Sequence, residues 1–232
     1  MNEISDREQL NHFLREYQLE SVFHKQLLPQ LSLFRFDPGE LICAQGEQAH
    51  VLYVLVKGKV KIYTTTSEGK TLILSFKTPL EVIGEIEYVR EMENLNTVEA
   101  VSTVWMLGIQ HRLLKKYSSD YAPFLQFLLE TLTKKFTIKS NSLSFNLMHP
   151  VEVRLASYLL SVSYDESDSL MKGQLGSDQL LDAANLIGTS YRHLNRVIGQ
   201  MCADGLIERN KGYIVVKDRG GLAVLARGNI YE

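Results

Sequence analysis

The sequence contains little cysteine and no long apolar segment, and both shortages restrict the class of protein that it encodes. Two cysteines, Cys43 and Cys202, occur among 232 residues. Two thiols this far apart fit no metal or redox spacing and cannot supply the four ligands of an iron–sulfur cluster, so we interpret both as small apolar residues. The longest strictly apolar run, Val51 to Val56, is far shorter than the ~20 residues that cross a membrane. We expect no metal, no cofactor and no membrane partner.

The chain also lacks the motifs that carry catalysis. It has no glycine-rich phosphate loop, nucleophile elbow or metal-binding helix motif. Glu85 and Glu87 have no His-x-His partner that would make a metal site of the cupin type. Haem ligation by a histidine stays open, although the histidines form no pattern. Because the first residues also lack the regions of a signal peptide, the sequence predicts a cytoplasmic protein that is not an enzyme.

Charge is balanced over the whole chain but uneven along it. The formal net charge is -2. Acidic residues predominate over residues 165–187, whereas the next thirty or so residues are rich in arginine and lysine. Because phosphate attraction is screened within ~8–10 Å, such a local basic stretch indicates a nucleic-acid partner better than net charge does. An ordinary solvated surface is the alternative. The basic residues are Arg192, Arg196, Arg209, Lys211, Lys217 and Arg219.

Hydrophobic periodicity divides the chain into three parts. Apolar residues at helical spacing over residues 1–30 predict one or two short helices. Short β-type runs between residues 34 and 109, separated by glycine- and proline-containing turns, predict a small sandwich or barrel. Helical spacing returns near Ser118 and predicts a helix of about 28 residues, which spans roughly 40 Å and ends before Pro150. A further helix is expected from Val151 to Leu160.

The apolar stripe of the predicted long helix needs a partner surface. A helix of this length is longer than a small domain requires, so its stripe can be buried in its own domain or against a second copy of the chain. The position between two small domains favours an interface, and we expect a homodimer. The interface residues are then Leu125, Leu128, Leu132, Phe136 and Leu143.

Residues 177–216 predict two short helices followed by a hairpin. Ser177 or Asp178 can cap the first helix, Gly188 supplies a turn, and Thr189 with Ser190 can cap the second helix. In the second helix the apolar positions share one side, opposite an arginine- and asparagine-rich side. Strand-like runs on both sides of the turn at residues 210–212 add a wing. This arrangement favours a winged helix-turn-helix that reads the major groove over a small helical bundle with a basic face. The apolar positions are Leu194, Val197, Ile198 and Met201.

Four segments in the same order resemble the Crp/Fnr family of transcription regulators. They are the run from Tyr53 to Val60 with Glu68-Gly69-Lys70, the turn Val82-Ile83-Gly84-Glu85, the long helix, and the run from Gly188 to Ile198. The sequence at residues 83–87 and 190–194 is most similar to the YeiL-like branch of this family. The resemblance implies an α+β fold: a cyclic-nucleotide-binding-type β-roll with N-terminal helices at residues 1–117, a long dimerisation helix at 118–147, and a winged helix-turn-helix at 148–232.

The resemblance also implies a function. The expected protein is a sequence-specific transcription regulator that binds double-stranded DNA as a homodimer, at a palindromic operator with half-sites roughly 34 Å apart. An unknown small-molecule effector or signal would act at the β-roll, and RNA polymerase is a further partner. The alternative is a ligand-binding regulatory subunit that acts on a protein, which would not need the basic face and the wing.

The effector pocket implied by the resemblance comprises Gly84, Glu85, Asn94 and Leu95. In relatives that bind cyclic AMP, the glutamate holds a ribose hydroxyl, and an arginine beside a serine pairs with the cyclic phosphate. Here Asn94 and Leu95 stand in place of the arginine and serine, which removes a charge-assisted contact worth roughly 1.5–3 kcal/mol. We therefore expect that cyclic AMP is not the effector. Glu85 would then bind another ligand or satisfy backbone N–H groups of the roll.

The same resemblance assigns roles in DNA binding. Arg196 matches an arginine that reads a guanine edge through O6 and N7. Arg192 replaces a glutamate and would prefer guanine or phosphate, while Tyr191 replaces an arginine, so the half-site should differ from the common TGTGA. Asn195 lies beside them as a further base-reading candidate. The candidates for phosphate contacts, which position the protein without reading sequence, are Thr189, Ser190, His193 and Lys211.

Overall fold

The computed structural model describes residues 2–69, 71–162, 174–176 and 180–228. The predicted capping residues Ser177 and Asp178, together with Lys70, lie outside these ranges. Contacts divide the chain into two units, which are Met1–Thr64 with Lys77–Thr137 and Thr65–Phe76 with Ile138–Glu232. The first unit contains most of the strands of the predicted β-roll, and the second contains the predicted helix-turn-helix.

The chain begins with a short strand and one helix. Helix α1 (Arg7–Glu16) starts after Asp6, whose carboxylate accepts a hydrogen bond from the backbone N–H of Gln9 at 2.9 Å. Such a cap satisfies one of the N–H groups that the first turn leaves unpaired. The periodic apolar residues of this segment are buried, which confirms the predicted helix. They are Leu10, Phe13 and Leu14.

The expected β-region forms two antiparallel sheets. The first has the order β1-β2-β9-β4-β7, and the second contains β3, β5, β6 and β8, with β8 paired to both β3 and β5. The strands are β1 (Asn2–Ile4), β2 (Ser32–Phe36), β3 (Leu41–Cys43), β4 (Val51–Lys57), β5 (Val60–Thr65), β6 (Thr71–Lys77), β7 (Glu81–Ile83), β8 (Thr97–Ala100) and β9 (Val104–Gln110).

Strand β4 explains why the sequence has a continuous apolar run at this point. Its Tyr53 and Leu55 pack between the two sheets, with residues such as Val98 from the second sheet. Its Leu52 and Val54 point to the other face of the first sheet, where helices cover them. Successive side chains of a strand point to opposite faces, so a strand buried on both faces needs an unbroken apolar sequence. We call the two packed sheets and these covering helices the roll.

The long helix begins later than predicted. Helix α3 (His111–Ser118) closes the last strand, and helix α4 (Ala122–Met148) follows after a break at residues 119–121. Pro123 stands in the first turn of α4, where the missing N–H of proline costs nothing. The predicted start at 118 is therefore wrong by four residues, because apolar residues keep helical spacing through the break. A short helix α2 (Glu85–Arg90) precedes β8.

The second unit is a winged helix-turn-helix. The apolar residues of α5 pack with those of α6 and α7 in one core, and strands β11 and β12 form the expected hairpin, with β10 added to β12. The helix expected from Val151 to Leu160 is confirmed as α5, while α8 was not predicted. The elements are α5 (Val151–Val162), β10 (Gln174–Gly176), α6 (Leu180–Leu186), α7 (Tyr191–Ala203), β11 (Ile207–Asn210), β12 (Tyr213–Val216) and α8 (Arg219–Leu225).

Candidate DNA-reading helix and effector site

The turn that precedes α7 is built as the sequence predicts. Gly188 has a φ of +68°, in the left-handed region that favours glycine. Ser190 is the capping residue, since its Oγ accepts a hydrogen bond from the backbone N–H of His193 at 3.2 Å. Thr189 donates its backbone N–H to the carbonyl of Ala184 at 2.9 Å, which ties the turn to α6. Helix α7 therefore begins at a fixed point.

Arg154 fixes this turn from α5, and the sequence analysis did not identify it. Its Nη1 donates to the carbonyls of Ile187 and Gly188, the latter at 3.4 Å. These carbonyls lie at the end of α6, where the last turn leaves acceptors unpaired. An arginine 33 residues before its acceptor gives no local signal in the sequence. Arg154 is therefore a positioning residue for the helix-turn-helix.

Helix α7 has two opposite faces. Its four predicted apolar residues are buried in the core of the second unit, as expected: Leu194, Val197, Ile198 and Met201. Tyr191, Arg192 and Arg196 are exposed on the outward face. Because Arg192 and Arg196 are four residues apart, their guanidinium groups lie on the same side of the helix.

Two outward side chains of α7 are held by neighbours within the second unit. Arg196 places its Nη2 at 3.0 Å from Nε2 of His193. Asn195 donates from Nδ2 to the carbonyl of Tyr191 at 2.9 Å, and its Oδ1 accepts from Nη1 of Arg209 at 2.8 Å. The structure thus brings the predicted residues together on one face. It adds Arg209 of β11 to them, which sequence spacing alone could not place there.

The wing adds further positive charge. Lys211 is exposed at the turn between β11 and β12, as predicted. Lys217, at the other end of the hairpin, pairs with Glu208 at 3.2 Å, with both side chains about half exposed. Such surface pairs contribute little to stability, so we interpret this pair as part of the solvated surface.

The proposed effector turn starts at Gly84. Its φ is +91°, and an added Cβ would lie 2.8 Å from the carbonyl oxygen of Val51, so only glycine fits. Helix α2 begins at the next residue, Glu85, whose side chain is 3% exposed. A buried carboxylate requires a charged or hydrogen-bonding partner.

That partner is Lys135, on the face of α4 that packs against the roll. Its ammonium lies 2.8 Å from Glu85 and 2.7 Å from Glu81, and it donates to the carbonyl of Val82 at 2.6 Å. These contacts use all three N–H groups of the ammonium. The sequence predicted that Glu85 contacts a ligand or accepts hydrogen bonds from backbone N–H groups. It did not predict the ion pair with Lys135.

The two partners influence each other's ionisation. Burial raises the pKa of Glu85, and the nearby Lys135 opposes this rise. For Lys135, burial alone would lower the pKa, but Glu85 and Glu81 outweigh it and the pKa is raised above its usual value. The ammonium therefore stays charged at neutral pH. A ligand that binds the carboxylate of Glu85 has to displace the ammonium of Lys135.

Asn94 and Leu95 lie in a turn that is acidic rather than basic. Asn94 donates from Nδ2 to the carbonyl of Ala44 at 3.2 Å. The backbone N–H of Leu95, which could otherwise serve an anion, donates to Oε1 of Glu87 at 3.0 Å. A cyclic phosphate placed here would be repelled by the carboxylate of Glu87. An arginine at this position, as in relatives that bind cyclic AMP, would attract it. The geometry agrees with the expectation that cyclic AMP does not bind.

Helix α4 divides its apolar residues between two stripes. Leu128 is 4% exposed and packs beside Phe124 in the roll's own core, so the predicted interface role of Leu128 is wrong. Leu125 and Phe136 are 43% and 72% exposed, and Leu129, which was not predicted, is 59% exposed. Leu132 is half-buried, and the side chain of Leu143 lies outside the described part of the chain.

The sequence left two alternatives for the apolar side of the long helix, burial within its own domain and burial against a second copy of the chain. The first applies to Phe124 and Leu128, while the second stays a prediction for the exposed stripe.

Cys43 is predicted to be unreactive. Burial, and next the charge of Glu87, raise the pKa of its thiol to about 12. Since the thiolate is the reactive form, alkylation by iodoacetamide near pH 8 should be roughly a thousandfold slower than for a thiol of ordinary pKa. Peptide mapping by mass spectrometry measures the rate, and the protein in concentrated urea is the control. Equal rates in the folded and unfolded protein would contradict this prediction.

Among the described residues, no group of three or more histidine, cysteine, aspartate or glutamate side chains is arranged to hold a metal ion. Within the same residues, no helix is both long and apolar enough to span a membrane.

Comparison with known proteins gives matches to both units. Residues 33–121 match the cyclic nucleotide-binding domain, and residues 153–225 match the Crp-like helix-turn-helix domain. The regulatory protein YeiL of Escherichia coli O157:H7 is 29% identical over 211 residues, with 89% of this chain and 93% of YeiL covered. A CRP-like cAMP-activated global transcriptional regulator of Mycobacterium tuberculosis is 23% identical over 206 residues, covering 87% of this chain and 91% of that protein.

Solved structures show the same fold. A Crp/Fnr-family protein of Eubacterium rectale superimposes with a TM-score of 0.70 at 18% identity, covering 93% of this chain and 99% of its own. A Crp/Fnr-family transcriptional regulator of Thermus thermophilus gives a TM-score of 0.60 at 22% identity, covering 84% and 98%. The two matched domains, at residues 33–121 and 153–225, lie in the roll and in the winged helix-turn-helix. This chain belongs to the Crp/Fnr family of transcription regulators.

Proposed function

We propose that this regulator binds a palindromic operator as a homodimer, with one copy of α7 in the major groove of each half-site. The observation that carries the proposal is the division of α7 into a buried apolar face and an exposed face with Arg192 and Arg196. A helix held on one side and rich in arginine on the other is the element that reads base edges in this class of domain. We assign the protein no enzymatic step.

Each outward residue then has a distinct role. Arg196 contacts a guanine through O6 and N7, and Arg192 contacts a second guanine or a phosphate. Tyr191, exposed at the start of the same face, contacts a further base. Residues at the helix N-terminus and the wing contact phosphates, which set the register of the protein on DNA. These are Thr189, Ser190, His193 and Lys211.

The exposed stripe of α4 supports the homodimer. Leu125, Leu129 and Phe136 expose large apolar surfaces on one side of a 27-residue helix. Burying them against the same stripe of a second copy removes this apolar area from water. A two-fold dimer then presents two recognition helices to a palindrome, and RNA polymerase is the partner through which such binding regulates transcription.

The signal acting on the roll is not cyclic AMP. Glu85 is paired with Lys135, and Glu87 holds the N–H of Leu95 where a cyclic phosphate would lie. An anionic ligand would have to displace the first contact and approach the second carboxylate. The outward arginines of α7 also favour DNA over the alternative of a subunit that acts on a protein.

Two substitutions test the roles in DNA binding. Arg196→Ala should weaken binding to a selected palindrome by ~1–3 kcal/mol and relax the base preference at one position of each half-site. Lys211→Ala should weaken binding to all sequences alike and reduce the slope of log affinity against log salt by about one. Fluorescence anisotropy at several salt concentrations measures both effects. Equal, sequence-independent losses in the two variants would refute the assignment of α7 as the reading helix.

A further inference from the structure

One contact joins the wing to the reading face of α7. Arg209, on β11, donates from Nη1 to Oδ1 of Asn195 at 2.8 Å. The other end of the same amide, Nδ2, donates to the carbonyl of Tyr191 one turn earlier in the helix, at 2.9 Å. The amide of Asn195 is therefore held between the wing and its own helix backbone.

These two amide atoms are the ones that an asparagine uses to recognise adenine. In the major groove, Oδ1 accepts from N6 of adenine while Nδ2 donates to N7. The position of Asn195 suits that role, because it lies beside Arg192 and Arg196 at the edge of the outward face. Gly199, one turn further on, is exposed and leaves that part of the face open. To read adenine, Asn195 has to leave Arg209.

The contact affects the two partners unequally. A guanidinium has five N–H donors, so Arg209 can bind Asn195 and still donate to a guanine or a phosphate. The acceptor of Asn195 is held by a charged donor, and such charge-assisted hydrogen bonds are stronger than neutral ones. The bond therefore removes an adenine-reading acceptor from the face and adds a third guanidinium beside Arg192 and Arg196.

We propose that Arg209 is a specificity-determining residue that keeps Asn195 from contacting a base. The bases of the operator are then contacted by the N–H donors of arginine side chains, and adenine is not selected opposite Asn195. This inference rests on the proposed DNA binding and gives its sequence preference. Asn195 is then a positioning residue for Arg209. On this proposal Asn195 does not read a base directly, which differs from the role expected from the sequence.

Selection of binding sites from a random DNA pool tests the proposal. The proteins compared are the full-length wild type, Arg209→Ala, Asn195→Ala, the double variant, and Lys217→Ala. The last is the matched control, because it removes one positive charge from the same wing without touching Asn195. Circular dichroism checks that each variant is folded.

The expected result is a new preference in one variant only. The wild type, Asn195→Ala and Lys217→Ala should select motifs without an adenine requirement opposite residue 195. Arg209→Ala should gain enrichment of adenine at one position of each half-site, by about tenfold, the order expected for one asparagine–adenine pair. The double variant should lose this gain, because the freed amide is absent.

Three results would overturn the proposal. The first is an unchanged motif for Arg209→Ala, and the second is an adenine preference that persists in the double variant. The third is a wild-type adenine preference that Asn195→Ala abolishes, which would mean that Asn195 exchanges Arg209 for DNA. A wild-type protein that enriches no sequence would instead refute the proposed DNA binding itself, and the inference with it.

Discussion

Replacing Lys135 by methionine should lower the free energy of unfolding of the first unit by about 3–5 kcal/mol, the cost of leaving a buried charge without its partner. Methionine keeps most of the volume of the side chain but donates no hydrogen bond. Glu81 and Glu85 would then face each other without a cation, and the carbonyl of Val82 would lose its donor. Like charges in a buried site oppose ionisation of both groups.

The fluorescence of Trp105 measures the free energy of unfolding of the first unit. It is the single tryptophan of the chain and lies on β9, so urea unfolding followed at this residue reports on the roll. Lys134→Met is the matched control, because Lys134 is exposed on the neighbouring position of the same helix. The control should change stability by less than about 0.5 kcal/mol. A loss as small for Lys135→Met would show that the ion pair contributes nothing.

The pH dependence of the Lys135→Met variant follows from Glu85. Burial already raises the pKa of Glu85 with the ammonium present, and removing the ammonium raises it further. A carboxyl group whose pKa is higher in the folded state stabilises the fold when protonated. That contribution is lost as the pH rises through the folded pKa. The deficit of the variant should therefore shrink as the pH falls below that value, and Glu85→Gln in the same variant should recover part of it.

Local sequence patterns were sufficient to predict most helices and strands and the outward face of α7. The buried positions of α7 follow from helical spacing, and its start follows from Gly188 and Ser190. The β-runs and their turns predicted a small sandwich or barrel, and the structure has two packed sheets. These features depend on interactions within a few residues of the chain, so the sequence expresses them directly.

Contacts between distant segments could not be predicted in this way. Lys135 and Glu85 are 50 residues apart, and Asn195 and Arg209 are 14 apart on different elements. The sequence around either partner gives no indication of the other. The misassignment of Leu128 has the same origin, since periodicity shows that a helix has an apolar side but not which surface covers it. The structure separates that side into a stripe on the roll and an exposed stripe.

Replacing Phe136 by glutamate should dissociate the proposed dimer. Phe136 is 72% exposed and lies on the same stripe as Leu125 and Leu129. Burying a phenylalanine side chain is worth roughly 1.5–3 kcal/mol, and a two-fold interface buries two copies. The loss is therefore about 3–6 kcal/mol per dimer, a rise of roughly a hundredfold to ten-thousandfold in the dimer dissociation constant. Desolvation of two introduced carboxylates adds to this loss.

Sedimentation equilibrium over a range of concentrations distinguishes one chain of 26.4 kDa from two. Thr137→Glu is the control, because it introduces the same charge at the next exposed position, which points away from the stripe. We expect the control to remain dimeric and Phe136→Glu to be monomeric at micromolar concentration. The monomer should also bind a palindrome no more tightly than a single half-site, since only the dimer presents two recognition helices to one operator. A wild-type protein that sediments as a monomer, or a Phe136→Glu variant that stays dimeric, would show that this stripe is not the interface.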